Sequence, residues 1–223
     1  MVDIKYIGHS AFQITNEENA VLIDPLVKQN KKYDWKKEPV RDILLTHAHS
    51  DHIGQAIEIA KDLDIEITAV PELAAYCREQ GAKAKSVSLG CWLNFSWGRA
   101  IFLPAFHSSS TPNGIYTGCP TGILFEIENK RFFHAGDTAL NSEMKLLKEL
   151  YKPDITMLPI GGTFTMDIEH ATIAAEWIGA NTVIPMHYNT FDAIKANVNE
   201  FADKIQMQNK QIKIMNIGET IKF

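Results

Sequence analysis

The sequence has few cysteines and no cysteine motif. Cys77, Cys91 and Cys119 are its only three cysteines, and no two of them form a CxxC pair. An odd, widely spaced set argues against a disulfide framework and favours a reducing compartment. We expect each cysteine to be a small buried apolar residue, with Cys119, in TGCP, the one that could also lie near a functional site.

An excess of basic residues and a long apolar run are also absent. The chain has 22 Lys and Arg against 27 Asp and Glu, a net charge of −5, which argues against nucleic acid as a partner and favours a small-molecule substrate. No uncharged apolar stretch reaches the length of a membrane span, and the first residues show no basic and apolar export signal. We therefore expect a cytoplasmic protein. The sequence leaves open whether copies form a homo-oligomer.

What the sequence does contain is a regular apolar pattern. With 223 residues, 45% of them hydrophobic, we expect one globular domain over residues 1–223. The chain divides into two halves, each of which begins with strands and continues by alternating strands with helices. This order predicts an α+β fold, an αββα four-layer sandwich in which two mixed sheets pack face to face with helices outside.

The pattern also predicts individual elements. The first half opens with a hairpin, in which 4–14 is one strand, NEEN the turn and 20–25 the second strand. The chain is predicted to end in another hairpin at 213–223. The lysine-bearing loop 26–39 is expected to be a solvated connection rather than a substrate rim. Helices are predicted over 53–63, 71–81, 142–154, 168–180 and 193–207, and further strands over 42–46, 65–70, 155–162 and 181–188. The pattern over 86–106 and over 121–137 is that of β-hairpins.

A cluster of titratable residues follows the apolar run Ile43–Leu45. In LTHAHSDHIGQ, residues 45–55, four such residues lie within six positions: His47, His49, Asp51 and His52. Imidazoles and carboxylates are costly to bury without partners, so packing alone does not explain this string. A bound metal would neutralise it.

Three more candidate ligands follow predicted strands. His107 comes after FLPAF, Asp137 after FFHAG and His187 after VIPM. Loops that leave a rigid sheet at one edge can bring such residues together. The full set of five histidines and two aspartates exceeds the three protein ligands of a catalytic tetrahedral zinc ion. It fits two metal ions with a bridging carboxylate and a shared hydroxide.

These residues resemble a known family. THAHSDH, with Asp24 in VLIDP before it and His107, Asp137 in AGDT and His187 in PMHY after it, is similar to the metallo-β-lactamase superfamily. The segments GHSAF, LPIGGTFTM and IPMHYNTF resemble the small metal-dependent hydrolases related to ascorbate-6-phosphate lactonase and N-acyl phosphatidylethanolamine phospholipase D. The likeness covers nearly the whole chain.

The resemblance implies a role for each ligand. His47, His49 and His107 would hold one metal, Asp51, His52 and His187 the second, and Asp137 would bridge the two as a catalytic residue. Asp24 would fix the HAHSDH loop through hydrogen bonds. The ions would be two divalent transition metals, zinc first, with manganese, iron or nickel open, and no organic cofactor is implied.

Other residues remain open at this stage. His9, in YIGHSAF, is either a catalytic or substrate-contact residue or a structural one. We expect His134 to be packed rather than a ligand, His170 to face solvent, and Ser108, Ser109 and Ser110 to be polar loop residues only. Gly161 and Gly162, with Thr163 and Thr165, form either a tight turn or a loop that meets a substrate oxyanion.

The function expected from these residues is a dinuclear metal-dependent hydrolase that acts on a small ester, lactone or phosphate-containing metabolite through the bridging hydroxide. Two alternatives belong to other classes. One is a diiron redox protein with oxygen or nitric oxide chemistry, which His49 and His52 disfavour because the redox branch typically has an acidic residue in place of the second histidine of the motif. The other is a metal-stabilised binding module without turnover.

Overall fold

Strands dominate the architecture. The computed structural model describes residues 1–17 and 19–223, and within them two sheets of seven strands each pack face to face around one shared core. The strands are β1 Val2–Gly8, β2 Ala11–Asn16, β3 Asn19–Ile23, β4 Val40–Leu44, β5 Glu66–Ala69, β6 Lys83–Ser86, β7 Trp92–Phe95, β8 Gly98–Pro104, β9 Thr121–Ile127, β10 Lys130–His134, β11 Ile155–Pro159, β12 Thr182–Met186, β13 Gln211–Ile212 and β14 Thr220–Lys222.

The two sheets share one design. The first has the order β14-β1-β2-β3-β4-β5-β6 and the second β13-β12-β11-β10-β9-β8-β7. In each sheet, antiparallel pairs on one side give way to parallel pairs, which begin at β3–β4 and at β10–β11. Strands β11 and β12 are buried along their whole length, as expected for parallel strands covered on both faces.

Helices cover the outer face of each sheet. Ile59 of α2 and Leu73 of α3 pack with Ile43 and Ile67 of the first sheet, while α5 and α6 pack on β11 and β13 of the second. This confirms the four-layer α+β sandwich. None of the helices in the described ranges is long and apolar enough to cross a membrane. The helices are α1 Ser50–Ile53, α2 Ala56–Leu63, α3 Pro71–Glu79, α4 Met144–Leu146, α5 Ile168–Ile178 and α6 Val198–Met207, with 3-10 turns at Val27–Gln29, Trp35–Lys37 and Asp192–Ile194.

The first predicted hairpin is wrong in one respect, because residues 4–14 form two strands rather than one. Tyr6 pairs with Phe12 and Gly8 with Ala11, so the chain reverses at His9 and Ser10. The reversal requires positive φ, which Gly8 adopts at +136°. The predicted NEEN turn joins β2 to β3, although Glu18 within it lies outside the described residues.

The predicted terminal hairpin is also wrong. β13 pairs in parallel with β12, and β14 pairs antiparallel with β1 in the other sheet. The last residues therefore add an edge strand to each sheet instead of pairing with each other. Short apolar alternation predicts strands but carries no information about their partners.

Other predicted bounds shift for local reasons. The helix predicted over 142–154 is α4 followed by a π-helical turn, Leu147–Tyr151. The helix predicted over 193–207 begins only at Val198, because the Asn197 side chain accepts a hydrogen bond from Asn199 N and caps it. Strand β6, KAKS, was not predicted because an edge strand can be polar.

Candidate metal centre

All the predicted ligands lie at one edge of the sandwich. The first sheet contributes the string after β4, and the second contributes residues that follow β8, β10 and β12. The expected convergence of strand ends is therefore confirmed. Three groups of side chains offer ligand atoms within 4.8 Å of one another: His9, Asp51, His52 and His187; His47, His49, His107 and Asp137; and Asp24, His47 and His52.

Three imidazoles form what we call the first cluster: His47, His49 and His107. Nδ1 of His49 lies 3.0 Å from Nε2 of His47 and 3.1 Å from Nε2 of His107. The three nitrogens thus point towards one small volume. His47 is fully buried, whereas His49 and His107 are partly exposed, so this volume is reached from solvent.

The second cluster consists of Asp51, His52 and His187. Nε2 of His187 lies 3.7 Å from Oδ2 of Asp51. Both ring nitrogens of His187 and Nε2 of His52 are buried, and none of them has a hydrogen-bond partner among the described residues. Unpaired buried nitrogens of this kind are costly unless another group takes up their lone pairs.

Asp137 lies between the two clusters. Its Oδ1 is 3.1 Å from Nε2 of His52, and its Oδ2 is 3.1 Å from Nε2 of His187. The same Oδ2 is 3.6 Å from Nε2 of His107 and 3.9 Å from Nε2 of His47. One carboxylate therefore reaches both clusters, with 2% of its residue surface exposed.

Asp24 orients one histidine of each cluster. Its Oδ2 accepts hydrogen bonds from His52 Nδ1 at 2.7 Å and from the Thr46 hydroxyl at 2.6 Å. The Thr46 oxygen is 3.0 Å from Nδ1 of His47, and the Thr46 amide donates to Asp24 Oδ1 at 2.8 Å. With Nδ1 engaged in both rings, the Nε2 atoms of His47 and His52 face inwards and are the nitrogens left to bind a metal ion. The predicted hydrogen bonds from Asp24 are confirmed.

His9 contacts the second cluster through Asp51. Its Nε2 lies 3.1 Å from Asp51 Oδ2, and its Nδ1 lies 2.9 Å from the Thr190 hydroxyl. The backbone carbonyl of His9 accepts hydrogen bonds from His187 N at 2.9 Å and from the Tyr6 hydroxyl at 3.0 Å. The β1–β2 turn is thereby attached to the loop after β12.

Three residues of the site have backbone conformations that side chains other than glycine rarely adopt. The φ angles are +57° for His9, +45° for Asp24 and +52° for His187. Each costs about 1–3 kcal/mol, and such residues concentrate at functional sites. The surrounding hydrogen bonds hold all three in place.

The protonation of the metal-free site follows from burial and the carboxylates. Burial lowers the pKa of His47 well below its usual value, so the ring is neutral. Burial alone would also lower the pKa of His52, but Asp137 and Asp24 raise it well above the usual value. Burial alone would raise the pKa of Asp137, but His52 and His187 lower it well below, so the carboxylate is ionised.

These donors fit small divalent cations. Zinc bonds to histidine nitrogen at about 2.0–2.1 Å, so tetrahedral ligands lie about 3.3 Å apart. The 3.0 Å and 3.1 Å separations in the first cluster are close to that spacing. In the second cluster, the unpaired nitrogens of His52 and His187 gain the partner that they otherwise lack. Imidazole and carboxylate donors suit zinc and its neighbours among the divalent metals.

The chain is similar to known proteins along its whole length. The β-lactamase superfamily domain matches residues 3–187. The chain belongs to this superfamily. A UPF0173 metal-dependent hydrolase of Bacillus cereus is 44% identical over 225 residues, which cover 98% of each chain. The chain belongs to this family of metal-dependent hydrolases, so the predicted resemblance is confirmed and the protein is a hydrolase.

Solved structures agree with this membership. Igni18, a novel metallo hydrolase from the hyperthermophilic archaeon Ignicoccus hospitalis, has 34% identity and a TM-score of 0.91, and the match covers 100% of this chain and 99% of that one. CmlA, a diiron β-hydroxylase from Streptomyces venezuelae, has 12% identity and a TM-score of 0.79, with 54% of that chain covered. The second likeness shows the fold alone, and the fold is therefore shared by proteins with different chemistry.

The histidines outside the clusters lie where the sequence predicted. His134 is fully buried, and its Nε2 donates to Ser10 O at 2.9 Å while its Nδ1 accepts from Gly136 N at 3.2 Å. Both ring nitrogens are occupied, so His134 packs between the sheets and is no ligand. His170 is exposed at the start of α5, as expected.

The glycine loop after β11 forms a tight turn. Gly162 has φ of +68°, and the Thr163 hydroxyl donates to Ala193 O at 2.8 Å. A side chain at Gly161 would lie 2.4 Å from His187 O, so glycine permits this loop to approach the loop of His187. Of the two interpretations left open by the sequence, these contacts favour the turn.

The predictions for Ser109 and for two of the three cysteines are wrong. Ser109 is buried, and its Oγ contacts Thr117 Oγ1 at 2.7 Å and accepts from Ala48 N at 3.4 Å, so it supports the HAHSDH loop instead of only making its own loop polar. Cys77 is buried as expected, but Cys91 and Cys119 are exposed. Loop cysteines lie outside the apolar periodicity that predicts burial.

The lysine loop makes ion pairs at the surface. Lys36 pairs with Asp62 at 3.1 Å and Lys37 with Asp34 at 3.0 Å, which confirms a solvated connection. Phe164 and Phe191 line the cleft of the metal centre but were not predicted as site residues, although they lie in the segments LPIGGTFTM and IPMHYNTF that carry the resemblance. Both lie in loops, where no periodicity marks a functional side chain.

Proposed function

We propose that the protein is a dinuclear zinc hydrolase that acts on a small ester, lactone or phosphate-containing metabolite. The observation that best supports this proposal is the position of Asp137. Its Oδ1 lies 3.1 Å from His52 Nε2 and its Oδ2 lies 3.1 Å from His187 Nε2, while Oδ2 also faces the first cluster. A single carboxylate between two groups of imidazoles is the arrangement that a pair of hydrolytic metal ions needs.

In this proposal each cluster holds one ion. His47, His49 and His107 hold the first, Asp51, His52 and His187 the second, and Asp137 contacts both. When bound, the ions supply an acidic water molecule as nucleophile and positive charge for the oxygen of the bond that breaks. Manganese, iron and nickel remain candidates for the same donors.

The residues of the chain prepare this site before any substrate binds. Asp24 accepts a hydrogen bond from Nδ1 of His52, so that Nε2 is the nitrogen left to bind a metal ion. The Nε2–H group of His9 donates a hydrogen bond to Asp51 Oδ2, and this contact fixes the carboxylate. The sequence left open a catalytic or substrate-contact role and a structural role for His9. This geometry instead supports a positioning role, since both ring nitrogens are engaged and 1% of the residue is exposed.

Screening tests the proposal. Protein loaded with zinc is assayed against lactones, carboxylic esters, phosphodiesters and phosphorylated sugars, before and after removal of metal with a chelator. We expect hydrolysis of at least one class, its loss on chelation and its recovery when zinc returns. Activity that survives complete removal of metal would contradict the proposal. The free cysteines are compatible with a reducing, cytoplasmic setting for this reaction.

A further inference from the structure

Two cavities meet at the metal centre. The first, which we call the metal cleft, has a volume of about 410 Å³ and is lined by Asp51, Asp137 and His187 among others. The second, the side groove, has a volume of about 950 Å³. His107 and Ser108 line both cavities, so the side groove opens directly beside the first cluster.

The exposed aromatic residues of the protein are concentrated in these two cavities. Phe164 and Phe191 line the metal cleft, and Phe106 and Tyr116 line the side groove. They are 54%, 41%, 59% and 68% exposed, and no other aromatic residue in the described ranges is as exposed as any of them. Clustered apolar side chains on a surface mark ligand-binding sites, whereas single ones need no explanation.

The charges around the cavities argue against a phosphorylated substrate. None of the described residues that line the metal cleft or the side groove is Lys or Arg. The charged side chains there are Asp51 and Asp137, both assigned to the metal centre. A phosphorylated substrate would normally be held by Arg, Lys or clustered backbone amides as well as by metal. In this protein, a phosphate group placed away from the metal ions would contact apolar side chains.

We infer that the substrate is an uncharged ester or lactone with an apolar substituent, which lies along the side groove against Phe106 and Tyr116 while the carbonyl group enters the metal cleft. In the reaction, the bond between the acyl carbon and the ester oxygen breaks, water adds a hydroxyl to the carbon, and its remaining proton goes to the released oxygen. The inference rests on the proposed function and narrows its substrate class.

Hydrolysis of matched esters tests the substrate class. Zinc-loaded protein is assayed with p-nitrophenyl acetate, p-nitrophenyl hexanoate and p-nitrophenyl phosphate. We expect kcat/KM for the hexanoate to exceed that for the acetate by about 10-fold or more, since four extra methylene groups enter an apolar groove. We expect the phosphate to be the poorest of the three. Equal rates for the two carboxylic esters, or preference for the phosphate, would overturn the inference and leave the proposed function standing.

The Tyr116→Ser variant tests whether the apolar substituent of the substrate lies in the side groove. Tyr116 is 68% exposed, so truncation removes groove surface without opening the core. We expect the hexanoate-to-acetate ratio to fall by about 3- to 10-fold. The matched control is Leu150→Ser, because Leu150 is 63% exposed and lines a separate apolar cavity of about 160 Å³. This control should keep the ratio of the unmodified protein.

Binding of an uncharged apolar dye provides a measurement that does not require activity. We expect N-phenyl-1-naphthylamine to gain fluorescence on the metal-free protein and to lose most of that gain with Tyr116→Ser but not with Leu150→Ser. A gain that only Leu150→Ser abolishes would overturn the side groove as the apolar site. Dye binding that depends on Tyr116, without hydrolysis of any ester, lactone or phosphate, would overturn the proposed function while it supports the groove.

Discussion

Nδ1 of His52 donates a hydrogen bond to Oδ2 of Asp24 across 2.7 Å, and this contact determines which nitrogen of the ring faces the metal centre. The same carboxylate oxygen holds Thr46, whose oxygen meets Nδ1 of His47. Asp24 is thus one residue through which both clusters are oriented.

Asp24→Asn should therefore weaken metal binding without changing the ligands. Asn tolerates positive φ and retains an oxygen for Thr46, but it loses the charge that holds the proton on His52. We expect zinc affinity to fall by about 10- to 100-fold, measured by competition with a chromophoric chelator. Unchanged affinity would mean that this hydrogen bond does not orient His52.

His9→Ala and His9→Gln separate a positioning role from a structural one. Both variants place a side chain at the same positive φ, so their backbone cost is similar, but only Gln can still donate to Asp51. We expect His9→Ala to lower the affinity of the second zinc ion by about 10- to 100-fold, with substantial recovery in His9→Gln. Equal metal affinity and equal loss of thermal stability in the two variants would favour a structural role only.

His134→Ala should affect stability more than metal content. The ring is buried, packs edge-on against Phe12 at 5.8 Å and satisfies Ser10 O and Gly136 N. Its removal leaves a cavity and unpaired backbone groups, at a cost of about 2–4 kcal/mol in the free energy of unfolding.

Asp137→Ala should affect metal content more than His134→Ala does, because the carboxylate of Asp137 contacts both clusters. It should retain less metal and less activity than His134→Ala. Denaturant unfolding and elemental analysis of the two variants provide the comparison. Similar metal content and similar activity would show that the roles of these two residues are misassigned.

The three thiols should differ in reactivity. Burial raises the pKa of Cys77 to about 12, so its thiol stays protonated, whereas Cys91 and Cys119 are exposed. Treatment of the folded protein with a thiol reagent should therefore label Cys91 and Cys119. Cys77 should react only after denaturation, and its rapid labelling in folded protein would contradict the buried position.

The HAHSDH string and the strand-end positions of His107, Asp137 and His187 were sufficient to predict that these side chains lie together. That is because a polar cluster after a buried strand is rare and because the sheet edge fixes where such residues meet. The β1–β2 turn at His9 was missed, since a hairpin with two turn residues interrupts the strand pattern only briefly. The partners of β13 and β14 depend on contacts across the whole chain, which no local pattern encodes.

The aromatic walls of the cavities were not predicted. Phe106 ends a predicted strand, and Phe164 and Phe191 lie in loops without apolar periodicity, so nothing local marks these side chains as parts of one site. Their common position around the metal centre becomes visible only when the loops from both sheets are placed together. Substrate preference is therefore the feature of this protein that depends most on its three-dimensional structure.

The number of metal ions per chain tests the dinuclear site most directly. Protein purified without chelator is analysed for zinc, manganese, iron and nickel, alongside an activity measurement on the same sample. We predict two ions per chain, mainly zinc, because Asp137 lies between two complete groups of donors. Full activity with one ion or none would contradict the account.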